Sequence, residues 1–152
     1  MEKKSQVNKL HDLLNSVQVS EFVQTAGEFC IFIEHADQFT KRDFIFKSRE
    51  LLPLLYYRMI NLPELDTYTE EVNKKYVSEQ DWDQIYTTIL TKMGAEDSFL
   101  EVFAPAMQEE EGPVVASIAE HFADIYQDIK NFISLYNLGD EVIMNDAIWE
   151  CK

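Results

Sequence analysis

Apolar residues recur every three or four positions along most of this chain, the spacing that places them on one side of an α-helix. Strict alternation of apolar and polar residues, which would indicate strands, is hard to find. Four long segments combine the helical spacing with a start or stop signal, and they predict helices over residues 20–36, 41–61, 79–93 and 117–137. The pattern therefore predicts an all-α fold.

Two of these helices carry the clearest signals at their ends. Ser78 with Asp81 forms a capping-box pattern, and Gly94 follows the last apolar residue of the same helix. Ser117 with Glu120 repeats the capping pattern before a seam of apolar residues that step by four and three. A third helix is predicted to begin at Ser20 as its N-cap.

The segment from 51 to 60 is apolar on nearly every side, which predicts that its helix lies at the centre of the fold. Pro53 cannot donate a backbone hydrogen bond, so we expect the helix to kink or to restart there. Arg58 is the basic residue in this apolar stretch. Burial would oblige it to pair with a carboxylate, and we expect an internal ion pair; the alternative is an anion-binding pocket.

Weaker patterns complete the fold prediction. Residues 6–16 predict a short helix within a weakly packed segment 1–19, and a last helix is predicted to begin near Asp140. Residues 95–113 carry six acidic side chains and no basic one, which predicts a mobile acidic loop. Residues 1–152 are thus expected to form a single domain, a mostly antiparallel bundle of about five or six helices with no significant sheet.

Charge divides the chain and limits its partners. The net charge is -15, and residues 61–152 hold five basic against twenty acidic residues. Such a field repels phosphate backbones and anionic lipid, so we expect no nucleic acid and no membrane as partners. The two cysteines form no C-x-x-C pair, which indicates a reducing compartment, and no secretory or membrane-spanning segment is found. These features predict a cytoplasmic protein.

Four stretches resemble one family. They are Glu28-Phe-Cys-Ile-Phe-Ile-Glu34, Leu51-Leu-Pro-Leu-Leu55, Ala123-Asp-Ile-Tyr-Gln-Asp-Ile-Lys130 and Asn145-Asp-Ala-Ile-Trp-Glu-Cys-Lys152. Together they are similar to the bacterial domain-of-unknown-function family numbered 5063, and the resemblance spans residues 20–152. The resemblance implies a helical fold, and it assigns no activity to the chain. Members of the family continue after the last stretch, so the resemblance also implies that the last helix is cut short at Lys152.

One cluster of candidate site residues lies on the fourth long helix. His121, Asp124 and Asp128 are three and four residues apart, so their side chains follow one side of the helix. Imidazole and carboxylate groups bind metals and transfer protons, which would suit a catalytic site. The simpler interpretation is a solvated acidic face. Because a metal site takes ligands from several elements, we expect no intrinsic metal and no cofactor.

Other catalytic patterns are missing from the sequence. It has no G-x-S-x-G nucleophile turn and no glycine-rich phosphate loop. Cys30 lies on the apolar side of its helix, where an inert buried thiol is expected. His35 is expected at the surface. The sequence therefore leans away from an enzyme.

Two functional hypotheses follow. The first is a non-enzymatic protein-interaction module that binds a basic protein partner through Glu109, Glu110, Glu111, Asp124 and Asp128; the alternative is that the acidic surface serves solubility alone. The second is a small-molecule- or metal-dependent enzyme that uses the helix-borne carboxylates and His121. They differ in whether polar groups from several helices converge in one pocket. The oligomeric state is left open.

Overall fold

A computed structural model describes residues 10–66, 74–102 and 113–151. Within these residues the helices are α1 (residues 10–14), α2 (Val17–Glu34), α3 (Lys41–Ile60), α4 (Glu79–Met93), α5 (Ile118–Tyr136) and α6 (Glu141–Cys151). Short 3₁₀ turns occupy Ala36–Gln38 and Gly94–Glu96. Two short strands, β1 (Ser98–Glu101) and β2 (Val114–Ser117), form an antiparallel pair. The predicted mostly helical fold is confirmed.

Helix α5 lies at the centre of the fold, packed against α2, α4 and α6. Two small residues near its start, Ala119 and Ala123, are fully buried and let neighbouring backbones come close. Aromatic rings fill the space toward α2 and α3: the ring centroids are 5.0 Å apart for Phe22 and Phe132, and 5.3 Å apart for Phe44 and Phe122. Tilted ring pairs at these separations are favourable beyond the area they bury.

Helix α3 lies at the edge of the bundle, so the prediction that it is central is wrong. It packs mainly on α2 and buries one narrow stripe, which consists of Phe44, Ser48, Leu51 and Leu55. Their spacing of four, three and four is that of a single contact seam. Leu52 and Met59 are partly buried against the core, whereas Phe46, Tyr56 and Ile60 face outward, because the centre is already filled by α5. The helix also runs unbroken through Pro53, so the expected restart does not occur.

Local capping sets most helix ends where the sequence predicts them. The Ser78 hydroxyl and the Asp81 carboxylate form the predicted capping box, and Gly94 ends α4 with a positive φ of 60°, which glycine adopts readily. The Ser20 prediction is wrong: Ser16 caps α2, accepting a hydrogen bond from the Val19 backbone N–H. The Ser16 hydroxyl satisfies an N–H group of the first turn, so the helix begins at Val17, four residues earlier than a cap at Ser20 allows.

The predicted acidic loop is partly a hairpin. Residues 98–101 pair with residues 114–117, although the sequence predicts a loop over 95–113; residues 103–112 lie outside the described part of the chain. The β-branched pair Val114 and Val115 favours extended backbone, and it faces Glu101 and Leu100 across the ladder. The hairpin leads directly into α5 and positions the start of that helix.

Candidate functional site

A cavity of about 320 Å³ opens where α3, α5 and α6 meet. Its walls are mainly apolar and come from different helices: Leu52, Leu55 and Met59 from α3, Ile129 and Leu135 from α5, and Ala147 from α6. Ligand sites in proteins are typically clefts of about 300–1,000 Å³ with apolar walls and a few placed polar groups. This cavity is the best-formed candidate site among the described residues.

Asn131 supplies the buried polar group of the cavity. Its side chain is 4% exposed, and its Oδ1 accepts hydrogen bonds from the backbone N–H groups of Tyr76, at 2.7 Å, and Val77, at 3.1 Å. These bonds hold the segment before α4 against α5. Its Nδ2 has no hydrogen-bond partner among the described residues. A buried donor without an acceptor costs about 1–3 kcal/mol, so this amide group lowers the stability of the fold.

Charged groups from three elements stand at the rim of the cavity: Asp128 of α5, Glu150 of α6 and Lys75 of the segment before α4. Partial burial raises the pKa of Asp128, Lys75 opposes that rise, and the negative charges of Asp124 and Glu150 add to it. The rim therefore carries excess negative charge, which Lys75 partly neutralises. Its carboxylates converge from different helices, as a ligand site requires.

Neither cysteine thiol is a reactive nucleophile. Cys151 lines the cavity, and burial together with the nearby Asp128 raises its pKa to about 12. Burial also raises the pKa of Cys30 to about 12, in agreement with the expected inert thiol. Since the thiolate is the reactive form, both groups are protonated and unreactive at neutral pH.

The predicted cluster on α5 does not act as one group. His121 lies beside the Phe99 ring and 3.8 Å from the Glu101 carboxylate, in contact with the hairpin. Asp124 accepts a hydrogen bond of 2.9 Å from the Trp82 indole N–H on α4. Asp128 alone reaches the cavity. Among the described residues no group of three or more metal-binding side chains is placed to hold an ion, and Glu109, Glu110 and Glu111 lie outside them.

Arg58 forms an ion pair with Glu21 of α2, which is the kind of partner the sequence predicts. The pair is not internal, because the two side chains are 28% and 40% exposed. A second cation, Lys130, binds Glu34 at 2.5 Å, and the Tyr126 hydroxyl donates to the same carboxylate at 3.0 Å. Both contacts tie α2 to its neighbours, so these charges have structural partners.

The outward side of α3 is an apolar surface. Its exposed residues Phe46, Arg49, Pro53, Tyr56 and Ile60 follow one another at spacings of three and four, and we call them the outer stripe. Tyr56 is 61% exposed and Ile60 50% exposed. The guanidinium groups of Arg42 and Arg49 lie over the Phe46 ring, at 5.6 and 5.3 Å from its centroid. Exposed apolar patches of this kind mark interaction sites.

Comparison with known proteins assigns the chain to a family. The family model described as domain of unknown function DUF5063 matches residues 14–152. The chain belongs to this family. The crystal structure of protein BF1032 from Bacteroides fragilis, a structural genomics target, is similar to this DUF5063 chain with a TM-score of 0.79 and 30% identity, over 91% of this chain and 80% of that one. Comparison with curated proteins finds no match.

No helix in the described parts of this DUF5063 chain is long and apolar enough to cross a membrane. Sequence reasoning found Asp128 but missed the cavity residues Asn131, Lys75 and Glu150. The signal for Asn131 was its spacing, three residues from Asp128 and four from Leu135, which places all three on one side of α5. Lys75 and Glu150 lie on other elements, and no pattern within the sequence relates them to α5.

Proposed function

We propose that this DUF5063 domain is a non-enzymatic protein-interaction module whose partner docks on the outer stripe of α3. The observation that carries the proposal is the exposure of Phe46, Tyr56 and Ile60 at the spacing of a helix-packing seam. A solvent-facing helix normally keeps one apolar side, and α3 already buries its own against α2. The second apolar side is explained by a second helix that packs on it.

The partner surface is expected to be an amphipathic helix with acidic residues beside its apolar seam. Arg42 and Arg49 stand over Phe46, so their charges frame the stripe. Aromatic residues and arginine are the residue types enriched at protein interfaces. Lys41, Lys47 and Arg58 lie beside Glu96, Glu50 and Glu21, and the two arginines over Phe46 are the cations placed to meet an acidic partner. A second copy of the chain is less suited, because its own outer stripe would bring the same two arginines against Arg42 and Arg49.

The acidic surface with a basic partner is the alternative within the same class of function. Asp124 is already bonded to Trp82, and Asp128 faces the cavity. The three glutamates of that surface lie outside the described residues. The observations on α3 are more specific, and they favour an acidic helix over a basic partner.

Two designed helical peptides test the proposal. Both carry the same leucine seam, and their flanks carry either glutamates or lysines; binding is measured by fluorescence anisotropy at low and high salt. The glutamate peptide should bind more tightly, and Phe46→Asp should weaken it at least about tenfold, as expected for a central aromatic anchor. Arg49→Glu should reverse the preference between the peptides. Leu100→Asp is the matched control, since Leu100 is an exposed apolar residue of the hairpin.

The outcomes separate the surfaces. If the lysine peptide binds better and loses affinity on Asp124→Asn with Asp128→Asn, the acidic surface is the docking site and the α3 proposal is wrong. If neither peptide binds, or if Leu100→Asp has the same effect as Phe46→Asp, α3 has no specific role. Light scattering of the free chain checks self-association, and a dimer lost on Phe46→Asp would show that the stripe binds a second copy instead.

A further inference from the structure

We propose that the cavity between α3, α5 and α6 binds a small molecule that combines an apolar body, a hydrogen-bond acceptor and a positively charged amine. Tyr56 belongs both to the outer stripe of α3 and to the lining of this cavity, whereas Phe46 does not line the cavity. Three features of the cavity carry the inference, each selecting one part of the ligand.

The apolar body follows from the walls and the volume. Leu52, Leu55, Ile129 and Leu135 present hydrocarbon to a space of about 320 Å³. That volume is at the small end of the range of about 300–1,000 Å³ found for ligand sites. A single ring or a short alkyl chain fits such a space. A protein helix is too large for it.

The acceptor follows from Asn131. Its Oδ1 is occupied by the backbone N–H groups of Tyr76 and Val77, which fixes the orientation of the side-chain amide. Asn131 lines the cavity, but its Nδ2 has almost no accessible surface and lacks a partner among the described residues, so a ligand acceptor reaches it only if the neighbouring wall shifts. A protein retains an unsatisfied buried donor at a cost to stability, and a ligand carbonyl would satisfy it. An amide or ester oxygen is the group that suits this donor.

The amine follows from the charges at the rim. Asp128 and Glu150 are two carboxylates from different helices, and among the described residues Lys75 is the one cation that lines the cavity with them. The rim thus carries one uncompensated negative charge before the nearby Asp124 is counted. A ligand carboxylate would be repelled there, whereas an ammonium group would pair with the excess charge.

The probe is N-(2-aminoethyl)benzamide, which joins a ring, an amide carbonyl and an ammonium group. Its control is N-propylbenzamide, in which a methyl group replaces the ammonium. Titration is followed by ¹⁵N–¹H nuclear magnetic resonance, and Asn131→Asp identifies the side-chain amide signals of Asn131. The charged probe should shift those signals together with the Ala147 and Cys151 backbone signals, and it should bind about five- to tenfold more tightly than the neutral control.

Variants locate the effect. Asp128→Asn and Glu150→Gln should each reduce the affinity for the charged probe about fivefold and leave the neutral control unchanged. Glu120→Gln is the matched variant, an exposed carboxylate of α5 that does not line the cavity. Phe46→Asp should leave probe binding unchanged. Failure of the α3 proposal can therefore be distinguished from failure of the cavity proposal. The inference is overturned if the probe causes no shift at cavity residues up to its solubility limit, or if Glu120→Gln acts like Asp128→Asn.

Discussion

The carboxylate of Asp97 accepts a hydrogen bond from the Ser117 hydroxyl at 2.6 Å, and the same carboxylate accepts one from the Ala119 backbone N–H at 2.8 Å. Ser117 in turn accepts from the Glu120 N–H, so the first turn of α5 has two side-chain caps. Asp97 is 3% exposed and directly precedes β1. The pair therefore joins the hairpin to the start of the central helix.

We expect Asp97→Ala to lower the free energy of unfolding by about 2–3 kcal/mol, because it removes a negative charge from a helix N-terminus and leaves the Ala119 N–H buried without an acceptor. Urea unfolding followed by circular dichroism measures the change. Asp83→Ala, an exposed carboxylate of α4, is the control and should stay within about 0.5 kcal/mol. If both variants lose the same free energy of unfolding, the Asp97 cap does not stabilise the fold more than an ordinary surface carboxylate does.

Asn131→Ala should loosen the segment before α4 more than it disturbs the rest of the fold. The change leaves the Tyr76 and Val77 N–H groups without their acceptor, and we expect a loss of about 2–3 kcal/mol. Hydrogen exchange should show faster exchange at these two amides than the global loss explains. Asn131→Asp keeps an acceptor oxygen and should restore their protection. Unchanged exchange in Asn131→Ala would contradict the role of this side chain.

The raised pKa of Asp128 makes stability depend on pH in a defined direction. Burial raises this pKa above its ordinary value of 3.8, so the folded state holds the proton more tightly than the unfolded state. The contribution of this group to stability is then greatest at low pH and is lost as pH rises from the unfolded pKa through the higher folded one.

Asp128→Asn should therefore raise Tm relative to the unmodified chain at pH 7, and the difference should vanish as the pH falls well below 3.8, where the carboxyl is protonated in both states. Differential scanning calorimetry at several pH values gives the two curves. Asp83→Asn serves as the reference for a general loss of negative charge. A lower Tm for Asp128→Asn at pH 7 would show that its pairing with Lys75 outweighs burial and the neighbouring carboxylates.

Both thiols should resist modification in the folded protein. With pKa values of about 12 for Cys30 and Cys151, their thiolate fraction at pH 8 is at least about a hundredfold below that of an exposed cysteine. Reaction with Ellman's reagent should be slow in buffer and rapid in denaturing urea. The Cys30→Ala and Cys151→Ala variants assign the two reactions. A fast reaction of Cys151 in buffer would show that the cavity wall opens readily.

Much of the secondary structure could be predicted because its causes are local. The capping box of Ser78 and Asp81, the cap at Ser117 and the positive φ of Gly94 act within one helical turn, so the start of α4 and α5 follows from a few adjacent residues. Apolar spacing similarly identifies which face of α4 and α5 is buried. The family resemblance was also present in the sequence, in four stretches that the match over residues 14–152 now includes.

The candidate site could be predicted only in part. Asp128 was in the expected cluster, but the same spacing also selected His121 and Asp124, which contact the hairpin and Trp82. Residue spacing along one helix predicts which side chains lie on the same side of that helix. It does not state which neighbour each side chain meets, and Glu150 and Lys75 come to the cavity from elements far away in sequence.

The sequence by itself determined the helices, their caps, the excess of negative charge and the lack of catalytic motifs, since each of these depends on composition or on residues a few positions apart. Only the tertiary structure decided that α5 is central and α3 peripheral. Both helices are apolar enough for the centre, and burial is settled by which surfaces fill the shared space. The same competition leaves the outer stripe of α3 exposed and leaves the cavity open beside Asn131.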